Sequence, residues 1–140
     1  MSNCDFPTRE AFENSFSELS THETFNERIS RILKKKHYNS ERFCNDTELN
    51  QNIYSCLKKI DYKPSLRIVV SICIGLQLDV FETEDLLRLA GYVLVRTRKL
   101  DYAYSELLKE SNSLTIEECN IILINWGFKK SELLGSQSKE

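Results

Sequence analysis

The chain has 140 residues, 41% of them apolar and 29% charged, with a formal net charge of −2. That length predicts one domain able to bury about two-thirds of its unfolded surface. The composition is ordinary for a soluble globular protein, and no apolar run approaches the roughly 18 residues that a membrane span needs. The opening MSNCDFPTREAFENS has no basic segment followed by an apolar core, so it does not read as a secretory signal and a cytoplasmic location is expected. Five cysteines with no C-x-x-C pair, beside only two histidines (His22 and His37), argue against a metal site, and no cofactor is expected. Cys44, Cys73 and Cys119 sit among apolar residues, where a reduced thiol acts as a small hydrophobe.

Two prolines, four glycines and the lack of any convincing apolar–polar alternation predict an all-α fold. Residues 7–19 suggest a short acidic helix with Phe12, Phe16 and Leu19 on one side, an N-terminal appendage over 1–19. Ser20 and Glu23 have the spacing of a capping box, predicting a helix that runs to about His37 with Phe25, Ile29, Ile32 and Leu33 as its buried stripe. His37 at that helix's C-terminus complements the dipole.

Residues 38–65 read as two short helices joined by a tight turn. Tyr38, Phe43, Cys44, Leu49, Tyr54 and Leu57 are the buried-type positions, with Leu49 plugging the turn. Asn50 stands where a second helix needs a cap that accepts a backbone N–H. Pro64 fits the first turn of a further helix to about Gln77, apolar on most sides and so predicted to be central. A fifth helix is expected over Thr83–Ala90, ended by a left-handed Gly91. Residues 92–99 suit a loop or a continued helix, although Tyr92–Val95 would also suit a strand. Two more helices are expected over Leu100–Glu110 and Thr115–Trp126, the latter opened by a Thr115/Glu118 capping box, before a frayed tail at 136–140.

Charge is distributed unevenly. Residues 34–67 hold eight basic and four acidic side chains, a local +4 that leaves −6 elsewhere. A polyanion would be drawn to this segment, although a solvated basic helix face is the commoner cause of such clustering.

The order from Phe25 to Gly91, five helices with a helix-turn-helix at the second and third and Pro64-Ser65 opening the fourth, resembles the Cro/CI-type (lambda-repressor-like) helix-turn-helix family over nearly half the chain. SICIGLQLDVFETEDLL is similar to that family's fourth helix, Leu-rich turn and fifth helix, and LLRLAGY with the helix after it resembles an extended variant. The sequence departs from the family at Glu48, where Gly is usual in the turn, and at Ser40, where Gln commonly begins the helix. The resemblance implies a helix-turn-helix domain over 20–91, a C-terminal helical extension over 92–135 packed on the same core, and binding to double-stranded DNA.

Under that resemblance Gln51 and Asn52 face base edges, Ser55 adds a contact, and Lys58, Lys59 and Lys63 neutralise phosphates. Ser40 and Arg42 touch the DNA backbone. Such a regulator pairs as a homodimer to read two half-sites, with Tyr102, Tyr104, Leu107, Ile121, Ile124 and Trp126 as candidates for the dimer surface or as ordinary core. An alternative partner is another protein: Ile53, Cys56 and Ile60 would form an apolar stripe on the exposed side of the third helix, suiting an adaptor or antitoxin-like interaction module. No catalytic motif is recognisable, and no enzyme is expected.

Overall fold

The structure, a computed structural model, describes residues 7–18 and 23–135. Among the described residues there are eight α-helices and no strand, as the composition predicts. They are α1 (Arg9–Glu18), α2 (Phe25–Lys35), α3 (Ser40–Thr47), α4 (Gln51–Cys56), α5 (Leu66–Gly75), α6 (Val80–Ala90), α7 (Lys99–Leu108) and α8 (Ile116–Asn125), followed by a 3₁₀ turn at Lys130–Glu132. In α1, residues 9–15 are solvent-exposed, Phe12 included. The expected Leu19, Ser20, His22 and the tail at 136–140 lie outside the described residues.

Caps define the helix starts. The capping box that opens α2 is Thr24 with Glu27, not Ser20 with Glu23: the Thr24 hydroxyl accepts from the Glu27 N–H and the Glu27 carboxylate accepts from the Thr24 N–H. Glu23 has a different role, joining Arg28 and Arg31 in ion pairs. Likewise α6 begins three residues earlier than expected, because Asp79 and Glu82 form a box of their own. Pro64 stands one residue before the cap rather than inside the first turn, and Ser65 caps α5. The Thr115/Glu118 box is present as expected.

α5 is the buried axis. Its residues Ile68 through Ile74 are all buried, and it packs against α3, α6, α7 and α8. The buried stripe of α2, Phe25, Ile29, Ile32 and Leu33, joins the same core and faces α6, where Arg28 bridges Glu23 and Asp85. Residues 92–95 form a loop, one of the two expected outcomes, held by the Asp101 carboxylate accepting from the Val95 N–H. After α8 the chain returns to this core: Leu133 and Leu134 are buried, Asn120 exchanges two hydrogen bonds with Leu134, and the Ser71 hydroxyl accepts from the Gly135 N–H. No helix among the described residues is long and apolar enough to cross a membrane.

Candidate nucleic-acid interface

The site is built on α3, the turn after it, and α4. Asn39 caps α3 by accepting from the Arg42 N–H, and Phe43 is fully buried on its inner face. At the other end the Thr47 hydroxyl donates to the Phe43 carbonyl and accepts from the Leu49 N–H, so one side chain closes the helix and starts the turn. Glu48 adopts the left-handed conformation, φ 57° and ψ 25°, and its N–H donates to the Cys44 carbonyl. A glycine would adopt this backbone without penalty; a glutamate gives up about 1–2 kcal/mol to do so. Leu49 is buried beneath the turn, and Asn50 caps α4 by accepting from the Ile53 N–H, both as expected.

α4 is short, and its anchors lie at its far end. The Tyr54 ring meets the Phe43 ring at 5.2 Å between centroids, tilted by 54°, and Leu57 just beyond the helix is fully buried. Ile53 is half-buried against the core rather than on the exposed side, which removes it from the expected apolar stripe. Cys56 is half-buried too, and only Ile60, 77% exposed, stands open to solvent. The stripe fails because α4 presents two adjacent residues inward, Ile53 and Tyr54, and Phe43 gives Tyr54 an aromatic neighbour.

The opposite side of α4 carries Gln51, Asn52 and Ser55, all exposed. Continuing at three- to four-residue intervals come Lys58 and Lys59, exposed in the turn after the helix, and then exposed Lys63. The Lys58 ammonium lies 5.2 Å from the centre of the Tyr54 ring, which orients the charge at a modest energetic gain. Six of the eight candidate residues are therefore exposed, three on α4 and three in the segment after it, with Lys63 bordering the hollow between that segment, the start of α2 and the end of α6.

Ser40 and Arg42 are placed differently. Ser40 is half-buried at the first position of α3. The Arg42 guanidinium stacks 4.2 Å above the Tyr38 ring, donates to the Lys36 carbonyl and approaches Asp46 at 3.8 Å. Tyr38 in turn donates to Asp46, and burial first and that hydrogen bond second push its hydroxyl up to about 12.

Asn26 is a supporting residue that the sequence reading passed over. Buried on α2, it donates to the carbonyls of Leu57 and Tyr62, tying the end of α4 and the lysine-bearing segment to the core. Its signal was there: an amide inside an otherwise apolar stripe, adjacent to Phe25 and three residues before Ile29. The two buried thiols are inert by comparison, as burial pushes Cys73 and Cys119 up to about 12.

Compared with protein-family models, with curated proteins and with solved structures, the chain gives no match.

Proposed function

We propose that this protein binds double-stranded DNA, using α3, the Glu48 turn and α4 as a helix-turn-helix, and acts as a small transcriptional regulator in the cytoplasm. The observation that carries the reading is the exposure of Gln51, Asn52 and Ser55 on α4, amides and a hydroxyl that can bond base edges, followed in the next segment by three exposed lysines suited to phosphates. An Asn or Gln can pair with the N6/N7 edge of adenine, so Gln51 and Asn52 are assigned to base contacts and Ser55 to a neighbouring one. Lys58, Lys59 and Lys63 supply the attraction that is independent of sequence. Arg42 and Ser40 act behind them: the stacked guanidinium holds α3 in place, and any phosphate contact from α3 is secondary.

The test is a fluorescence anisotropy titration of the full chain with a random-sequence duplex at two salt concentrations. Affinity is expected to fall steeply with salt, and Lys58→Ala/Lys59→Ala to lower the slope of log K against log salt by about 2. Binding indifferent to salt, or unchanged in the double variant, overturns the assignment.

A second reading, a protein-interaction module, has one observation in its favour. Ile60 borders a mainly apolar hollow shared with Tyr62, Pro64, Leu89 and Ala90. Under this reading Ile60→Asp abolishes capture of the partner while duplex affinity is absent in the native chain.

A further inference from the structure

Outside residues 34–67, the loop that leads into α7 concentrates positive charge. Arg96, Arg98 and Lys99 are all exposed there, and their side chains have no hydrogen bond or ion pair among the described residues. Set beside the +4 of residues 34–67, this +3 leaves −9 on the remainder of the chain.

The fold brings the two basic segments to one end of the molecule. The Tyr92 hydroxyl, before α7, donates to the Pro64 carbonyl, before α5, at 2.7 Å. At the other end the Ser111 hydroxyl, after α7, donates to the Leu78 carbonyl, after α5, at 2.6 Å. α5 and α7 therefore run side by side in the same direction, and the entrance to α7 neighbours the entrance to α5, which Lys63 precedes. α8 runs back the opposite way: its start shares a cleft with Gly75 and Gln77, whereas Trp126 and Phe128 at its end meet Lys99. Exposed Lys129 and Lys130 follow directly and reinforce the positive end.

The neighbouring carboxylates are engaged. Asp101 is buried and accepts from the Val95 N–H, and Glu132 accepts from the Lys129 N–H. Asp61, exposed two residues before Lys63, is the opposing charge at this end. Asp79, Glu110, Glu117 and Glu118 are exposed where α5 and α7 finish and α6 and α8 begin, so acidic charge collects at the far end.

We propose that Arg96, Arg98 and Lys99 bind phosphates of the same DNA duplex that α4 meets, a second grip on the backbone beside Lys63. This inference rests on the DNA-binding reading above. Packed helices lie about 8–10 Å apart and the major groove is about 12 Å wide, so cations at the two helix entrances match the phosphates bordering a single groove. The acidic end is repelled by the same polyanion, which turns the basic end toward the duplex before contact. These contacts add affinity and fix position, while base reading stays with Gln51 and Asn52.

The test is the anisotropy of a labelled random-sequence duplex titrated with the full chain between about 50 and 200 mM salt. Each phosphate neutralised contributes about 0.9 to the slope of log K against log salt, so Arg96→Ala/Arg98→Ala/Lys99→Ala is expected to lower that slope by about 2.7. Over this range the native chain then loses about 40-fold more affinity than the variant. Arg96→Lys/Arg98→Lys keeps the charges and is expected to keep the native slope, with circular dichroism reporting native helix content in both variants. Combined with Lys58→Ala/Lys59→Ala the reductions are expected to add, at one duplex per chain. A triple variant with the native slope, while Lys58→Ala/Lys59→Ala lowers it, overturns this inference and leaves the DNA-binding reading standing. Reductions that fail to add do the same, because the two clusters would then serve separate duplexes. A native chain whose duplex binding ignores salt sinks both.

Discussion

Gly75 ends α5 where that helix crosses α3 so closely that a methyl group on it would stand 2.7 Å from the Asp46 carbonyl oxygen and from the Thr47 Cα. Both obstacles are backbone, which cannot swing aside as a flexible side chain would. Gly75→Ala is therefore expected to destabilise the fold by about 1–3 kcal/mol, read as a lower urea midpoint with an unchanged m-value; an unshifted midpoint would show that the crossing relaxes freely. The left-handed positions are less legible in the sequence. Gly91 announces its role, but His37, Glu48 and Gln77 share the same backbone region without being glycine. What selects them is the residue that follows: Tyr38, Leu49 and Leu78 all pack on the core, and their burial offsets about 1–2 kcal/mol of local strain.

At the scale of elements the same device recurs. α2, α5, α6 and α8 all end with a backbone N–H reaching five residues back, from Tyr38 to Leu33, Leu78 to Cys73, Tyr92 to Leu87 and Phe128 to Leu123, and each donor residue is apolar or aromatic. The two ends with Gly could be read from the sequence, and the other two required knowing that the following hydrophobe is anchored. α4 shows the reverse case, a six-residue helix too short to stand alone and held instead by Tyr54, Leu57 and the amide of Asn26. Asn26→Ala leaves the Leu57 and Tyr62 carbonyls without that donor and is expected to cost about 1–3 kcal/mol. Amide exchange over Lys58–Tyr62 should quicken more than in α7; a uniform change across the chain would argue that Asn26 acts on global stability alone.

For the whole molecule, the ion-pair chain across α2 and α6 sets the response to acid. Hydrogen bonds from Arg31 and then Arg28 hold the Glu23 carboxyl down to about 2, from an ordinary value of 4.5, and Asp85 is lowered in the same way by Arg88 and Arg28. A carboxyl more acidic in the folded than in the unfolded chain stabilises the fold fully above pH 4.5, and that contribution drains away as the pH falls toward 2. Solvent screening limits the Glu23 share to about 1 kcal/mol. Glu23→Gln should lower the melting temperature at neutral pH and flatten its decline below pH 4.5, whereas acid limbs of equal steepness in both proteins would exclude the ion pairs as the cause.

By itself the sequence determined the helical class, the central place of α5, the inward side of α2, the Asn50 cap and the exposure of Gln51 and Asn52, because each follows from short-range spacing and local hydrogen bonding. Tertiary structure alone decided that two adjacent residues on α4, Ile53 and Tyr54, both turn inward, since that depends on the core surface and the Phe43 ring brought to them from other elements. It likewise decided that Tyr104 and Leu107 belong to the core while Tyr102 does not, and that Arg42 stacks on Tyr38. Those outcomes depend on surfaces brought together from distant parts of the chain, and no local pattern encodes which neighbour will be there.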